Sequence, residues 1–284
     1  MTDAPAPAVS VAAFPATWSA PQRDAIARDF AALAVTAGAV IMRIYASAFD
    51  VRAKGDGSPV SQADEEAEAV ILAGLAKLMP GMPVLAEEAA ARGEAPQLGS
   101  TFILVDPLDG TREFVSRNGE FTVNIALVSA GAPVAGAVYA PALETLWYGG
   151  VNAFYAAVAP GADLASATGL RPIHVRQPPA GGLTALASRS HADAQTEQFL
   201  ARLPIAERIA AGSSLKFCRV AEGLADVYPR FGPTMEWDTA AGDAVLRAAG
   251  GITCGEDGAP LLYCKAAGLY RNGSFVAWGG KPVA

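Results

Sequence analysis

The sequence predicts an α+β segment running into an α/β segment, and three patterns carry that expectation. Apolar residues repeat at helical spacing near the start, short β-forming runs alternate with turn residues in the middle, and strand and helix patterns alternate toward the end. Of the 284 residues, 52% are hydrophobic and 17% charged, which suits a large core and not a disordered chain. The length exceeds the ~100–200 residues of a usual domain, so one large domain or two packed lobes is expected. The expected divisions are a disordered tail over 1–20, an α+β lobe over 21–160 and an α/β lobe over 161–284.

The opening MTDAPAPAVSVAAFPATWSAP carries an acid and several prolines without a basic leader, so it reads as a tail rather than a signal peptide. From Pro21, PQRDAIARDFAALAVTAGAVIMRIYASA spaces its apolar residues as one long amphipathic helix. After the turn-like KGDGSPV, Ser61 and Asp64 match a capping box, and the helix they open stops at Pro80-Gly81. These helices, neighbours in sequence, are expected to pack together. MPVLA and STFILV are short strands that each deliver acids at the C-terminal end: Glu87 and Glu88, then Asp106 and Asp109.

NGEFTVNIALV, GAPVAGAVYAP and TLWYGG form sequential antiparallel strands, divided by turn signals at Asn118-Gly119, Gly131 to Pro133 and Pro141. The uncharged stretch from Phe121 to Leu143 has the length of a membrane span. Its glycines, prolines and β-formers make it two buried strands instead, and no transmembrane segment is expected. Past a Gly/Ala/Pro-rich stretch at 160–182, LTALASRSH is a strand and loop and DAQTEQFLARL a helix. SSLKFCRVAEGLADVYPRF is a helix then a short strand. WDTAAGDAVLRAAGG is a helix with Asp238 as N-cap and Gly250-Gly251 as its stop.

A net charge of −7 argues against binding polymeric nucleic acid through a basic surface, so an anionic ligand must find a local basic pocket. The three cysteines, Cys218, Cys254 and Cys264, form no C-x-x-C pair. They indicate neither a disulfide framework nor a zinc site, and fit a reducing cytoplasm. Cys218 is expected to pack in a helix as a small apolar residue.

The stretch VDPLDGTREF, 105–114, concentrates the chemistry. Proline after Asp106 holds that aspartate extended as its strand ends, and Gly110 permits a tight turn into a helix. Two carboxylates beside turn carbonyls make an oxygen-rich site of the kind Mg²⁺ prefers, while the helix start at Thr111 and Arg112 offers amide donors to an anion. Read alone, D-P-L-D-G is equally an Asp/Pro/Gly turn. Glu87-Glu88 taken singly is a solvated acidic pair, Asp64 and Asp238 are helix-start acids, and Lys216 and Arg230 are surface charges.

LAEEAA, LVDPLDGTREF and WDTAAGDAVLRAAGG, in that order and spacing, resemble the three signatures of the magnesium-dependent, lithium-sensitive inositol monophosphatase-like phosphatases, and the likeness spans the chain from near Ala25. The resemblance implies a layered α-β-α-β-α sandwich with the site between the lobes, the first binding metal and the second completing the metal and nucleotide sites. It implies that Glu87, Asp106, Asp109, Asp238 and the backbone carbonyl of Leu108 ligate two or more Mg²⁺ ions, with Asp106 bridging two. Asp64 would pair with Thr111 to orient and deprotonate the attacking water.

Within that superfamily, RNGEFTVNIALV, SRSHAD, GSSLKFC and YPRFGPT look like the bacterial 3'(2'),5'-bisphosphate nucleotidases. This implies that His191, Ser213, Lys216 and Arg230 hold a small-molecule nucleotide and its 5'-phosphate, with Gly110, Thr111, Arg112 and Asp238 also at the substrate. The implied activity is hydrolysis of the 3'-phosphate of adenosine 3',5'-bisphosphate to AMP and phosphate, extending to the 5'-phosphosulfate analogue and inhibited by Li⁺. A monomer or homodimer in the cytoplasm is expected, with association at the inner membrane face left open. An inositol-1-phosphate or fructose-1,6-bisphosphate phosphatase would share the first three motifs, and a non-catalytic nucleotide sensor would keep the pocket without turnover. Two departures from the family pattern are Ala86, where Ser or Gly is frequent, and Arg112, where Lys is.

Overall fold

Two neighbouring strands run parallel in a sheet that is otherwise antiparallel, and that one pairing decides where the acids meet. The computed structural model describes residues 17–47, 51–53, 59–188 and 194–282. The first sixteen residues of the expected tail, and His191, lie outside the described residues.

Helix α1 (Ala20–Tyr45) carries Pro21 in its first turn, where a missing N–H costs nothing. It is followed by a hairpin of β1 (Val51–Ala53) with β2 (Pro59–Ser61) and by α2 (Gln62–Leu78). α1 buries Phe30, Leu33 and Ile41 in one cluster with Ala67, Ile71 and Leu75 of α2 and with the sheet beneath. Fully burying a side chain of that size contributes about 1.5–3 kcal/mol, so the helix pair is anchored by its apolar faces. α1 is also the one described helix long and apolar enough to cross a membrane by length and composition, but that apolar face is spent on this core.

The chain then runs through β3 (Val84–Ala86), the short α3 (Glu87–Ala91), β4 (Thr101–Asp109) and the short α4 (Thr111–Val115). β5 (Thr122–Ser129), β6 (Ala132–Ala140), β7 (Thr145–Gly149), β8 (Ala153–Ala157) and β9 (Thr168–Ile173) follow. The strands form one seven-stranded sheet in chain order, β3 to β9. β5 and β6 occupy the uncharged stretch, as the glycines and prolines predict. β9 falls in the stretch read as a Gly/Ala/Pro-rich divide, so the first sheet continues past residue 160. Its residues are exposed except the last, and a strand with no buried face has no alternation to read.

The second half comprises β10 (Leu183–Ser188), α5 (Ala194–Leu200), β11 (Ile205–Ala211), α6 (Leu215–Ala221) and β12 (Val227–Arg230). β13 (Thr234–Met235), α7 (Glu236–Ala248), β14 (Ile252–Gly255), β15 (Arg271–Asn272) and β16 (Phe275–Trp278) complete it. A five-stranded mixed sheet has the order β11-β10-β12-β16-β14, and β13 pairs with β15 apart from it.

Three apolar clusters define the layers. α1 and α2 cover one face of the larger sheet, while α6 and α7 lie between its other face and the smaller sheet. α5 covers the far side of the smaller sheet through Leu200 and Phe199. The result is the α-β-α-β-α order. The middle cluster joins Leu104 and Trp147 of one sheet to Val245 of α7 and Phe275 of the other, so the two sheets share a core. Gly136 of β6 lets α7 come close, since a Cβ there would stand 2.8 Å from that of Ala244.

Candidate active site

β3 and β4 are parallel with Ala86 opposite Val105, so the residues that follow, Glu87 and Asp106, emerge at the same edge of the sheet. Asp109 lies three residues beyond Asp106 and in a regular strand would point to the opposite face. Between them the register against β5 slips: Asp106 faces Asn124 and Asp109 faces Thr122, so one extra residue is accommodated on β4. That bulge brings Asp109 back toward Asp106, with Pro107, which cannot donate to a ladder, at the irregular step. The Leu108 N–H closes the turn by donating to Asp106 Oδ1 at 3.0 Å.

Asp238 arrives from the middle layer. It is the third residue of α7 and not its N-cap: Met235 is the cap, and the Met235 N–H donates to Asp238 Oδ2 at 2.8 Å. The correction has a physical cause. A carboxylate three residues into a helix reaches back to the cap N–H, which satisfies the same orphan donor that an N-cap side chain would address from outside. The predicted stop holds: Gly250 follows the cap residue Ala249 at φ 93°.

Burial drives the Asp106 carboxyl well above the usual range, and the charges of Glu87, Asp109, Asp238 and Asp64 push it further in that order. Four carboxylates from α2, α3, β4 and α7 therefore act on a fifth. Asp238 is likewise raised by burial, then by Asp109 and Glu87, while its bond from Met235 opposes the shift. Burial pushes Asp109 up to about 6, against the pull of Lys216 and of hydrogen bonds from Ser214.

A set of like charges, buried at Asp64 and Asp106 and half-buried at the others, with only oxygen donors calls for a hard cation, and Mg²⁺ fits that chemistry. Among the described residues no three His, Cys, Asp or Glu side chains already form a closed ligating group, so the fit is one of donor type and charge.

Over Asp109 and Asp238 opens a cleft of about 280 Å³. Gly110, Thr111 and Arg112 line one side, and Ser213, Lys216 and Arg230 another. Gly110 caps α4 at φ 92°, and a Cβ there would be strained and would overlap Ser213 Oγ, which would have to move. Asp64, Glu87, Asp106 and Leu108 are not among the residues that line this cleft.

The cations are held by the protein's own carbonyls. Lys216 Nζ donates to Ser213 O at 2.6 Å and to Ala211 O at 3.3 Å, and lies 5.3 Å over the Tyr228 ring. Burial lowers its pKa to about 8, with Asp109 opposing the shift and Arg230 adding to it. Arg230 donates to Gly232 O at 3.3 Å and to Pro233 O at 3.1 Å. Ser213, at φ 45°, turns its hydroxyl toward Glu120 O at 2.7 Å and Asp109 O at 2.9 Å.

Four residues absent from the sequence reading shape this site: Glu68, Arg92, Ser214 and Asn124. Ala86 is the N-cap of α3 and has no side-chain oxygen, so Glu68 Oε2 accepts the Glu88 N–H instead, at 2.8 Å, while Arg92 Nη2 reaches Glu68 Oε1 at 3.2 Å. Glu68 sits one helical turn after Asp64, and that spacing was the available signal. Ser214 Oγ contacts Asn124 Nδ2 at 2.9 Å, Asp109 Oδ2 at 3.0 Å and Asp238 O at 2.7 Å. No local pattern announces Ser214 or Asn124, because their partners come from distant parts of the chain.

Sheets layered with helices around an acid-floored, cation-walled cleft define the class, and the chain belongs to the inositol monophosphatase family, whose model matches residues 22–279. Proteins of this family depend on metal, typically Mg²⁺. More narrowly, the chain is 48% identical over 236 residues to the 3'(2'),5'-bisphosphate nucleotidase CysQ of Escherichia coli K12, covering 81% of this chain and 91% of that one. It is 39% identical to the CysQ of Buchnera aphidicola, covering 86% and 90%. The crystal structure of CysQ from Bacteroides thetaiotaomicron superimposes with a TM-score of 0.74 at 38% identity, covering 89% of this chain and 97% of that one. An inositol monophosphatase from Anabaena shares the fold at TM-score 0.68 and 25% identity, covering 90% and 91%.

Proposed function

We propose that the protein is a Mg²⁺-dependent 3'(2'),5'-bisphosphate nucleotidase that hydrolyses adenosine 3',5'-bisphosphate to AMP and phosphate, and the corresponding phosphosulfate to adenosine 5'-phosphosulfate, in the cytoplasm. The observation that carries this reading is the convergence of Asp64, Glu87, Asp109 and Asp238 on the buried Asp106, beside a cleft whose wall holds Lys216 and Arg230. The likeness to the CysQ nucleotidases supports the choice of substrate.

Glu87, Asp106, Asp109, Asp238 and the Leu108 carbonyl would hold the metal, in two or more ions. When bound there, Mg²⁺ supplies Lewis acidity toward the phosphoryl oxygens and acidifies nearby water. Asp64 and Thr111 orient the attacking water, and Asp64 takes its proton as the new P–O bond forms. The bond from phosphorus to the 3'-oxygen breaks in line, and solvent returns a proton to the alcohol. No side chain becomes covalently attached. Lys216, Arg230 and Arg112 give a protein of charge −7 a local positive wall for a bisphosphate, while Gly110 lets the phosphate approach the backbone at α4. His191 is assigned to the nucleotide on the resemblance of SRSH.

The test is phosphate release from the bisphosphonucleoside, its phosphosulfate, inositol 1-phosphate and fructose 1,6-bisphosphate, with Mg²⁺ and with added Li⁺. The nucleotides should be hydrolysed fastest and Li⁺ should inhibit. Faster turnover of inositol 1-phosphate overturns the substrate assignment, and nucleotide binding without any hydrolysis would make the protein a sensor.

A further inference from the structure

We infer that Ser214 is a positioning residue that holds Asp109 and Asp238 together at the metal site, with Asn124 setting the direction in which its hydroxyl donates. The inference rests on the metal-binding reading above and adds to it a residue outside the ligand set.

Ser214 occupies the N-cap of α6, the position where a serine hydroxyl ordinarily accepts a bond from the first helical turn. Here it makes no capping bond. The hydroxyl, 2% exposed with the rest of the residue, is committed elsewhere. Asn124 Nδ2 donates to it at 2.9 Å, which occupies a lone pair and leaves its single proton for an acceptor. Two acceptors are in reach, Asp109 Oδ2 at 3.0 Å and the backbone oxygen of Asp238 at 2.7 Å, and both belong to proposed metal-holding residues.

The bond from Ser214 also opposes the rise that burial imposes on the Asp109 carboxyl. Asn124 lies on β5 directly opposite Asp106, and its Oδ1 has no partner among the described residues. Its side chain therefore contributes as a donor toward Ser214. Through this one hydroxyl, β4, β5, α6 and α7 are tied within hydrogen-bond distance of the acids. A carboxylate that is to share a cation with its neighbours needs its free oxygen oriented, and loss of such an orienting partner typically costs about 10–100-fold in metal affinity.

The deciding measurement is calorimetric titration of Mg²⁺ into metal-free wild type, Ser214→Ala, Ser214→Cys and Asn124→Ala, beside kcat and KM for the bisphosphonucleoside at saturating Mg²⁺. Ser214→Ala is expected to weaken Mg²⁺ binding by roughly tenfold or more and to raise the half-activating Mg²⁺ concentration by the same factor, with KM changed less than about twofold. Asn124→Ala should shift both in the same direction by less. Ser214→Cys keeps the shape with a weaker donor, so it should also lose affinity, and it carries the test if Ser214→Ala does not fold. Wild-type Mg²⁺ affinity in a folded Ser214→Ala or Ser214→Cys overturns the inference. A wild-type protein that takes up no Mg²⁺ counts instead against the proposed function.

Discussion

On the floor of the cleft and just beyond it, Asp109 and Asp106 stand at the end of an apolar strand, each raised by burial and Asp106 also by the charges of its neighbours, whereas on the wall Lys216 and Arg230 reach in from a helix and a second sheet already bonded to backbone carbonyls. The floor holds charges that repel one another and the wall holds charges that are satisfied. This difference matches the proposed division of the site, a floor that takes up a cation and a wall assembled beforehand for an anion. It also means that substitutions in the two regions should have opposite effects on the metal-free fold.

The largest effect is expected from Asp109→Asn, which removes a proposed metal-holding carboxylate. Mg²⁺-dependent hydrolysis should fall by on the order of 1000-fold or more, while thermal unfolding without metal stays level or rises because one buried like charge is gone. Unchanged turnover in that variant would break the proposed mechanism. Lys216→Met should do the reverse to the metal-free fold, since Ser213 O and Ala211 O lose their buried donor. A loss of about 1–3 kcal/mol is expected in denaturant unfolding, together with a raised KM. A stability equal to wild type would show that the wall is not self-satisfied.

Arg230→Ala should raise KM for the bisphosphonucleoside by about tenfold and move Tm only slightly, because its bonds to Gly232 and Pro233 lie at a partly exposed loop. The smallest effect is a pH dependence of the floor. The folded pKa of Asp109, about 6, lies above its unfolded value near 3.9, so its contribution to stability is complete below about pH 4 and is lost as the pH rises through 6. Mg²⁺ needs the ionised carboxylate and offsets that loss. The rise in Tm caused by saturating Mg²⁺ should therefore be larger at pH 8 than at pH 5, and an equal rise at both would show that Asp109 does not meet the metal.

Much of this arrangement is legible along the chain. α1, α2 and the strands from β3 to β7 follow from apolar period and turn residues, because each buries one face and the buried face sets the spacing. The acids after β3 and β4 are visible as residue types at strand ends, and their roles follow from the resemblance of three motifs. The place of Asp238 is off by the distance from a cap to the third helical residue, a step that propensity does not resolve because a carboxylate serves the helix start from either position. β9 is missed because an exposed edge strand shows no alternation.

Beyond the roles that the motif resemblance implies, composition and local spacing establish where strands and helices run and which of them deliver acids at their ends, since those depend on neighbours a few residues away. They do not reveal that Glu68 caps α3 in place of Ala86, that Lys216 is bonded to the loop it follows, or that Ser214 joins Asp109 across 105 positions of chain. Those pairings depend on the parallel β3–β4 step and on the close approach of α6 and α7 to the larger sheet. Packing of that kind is fixed by the whole core at once, and no short stretch of the chain encodes it.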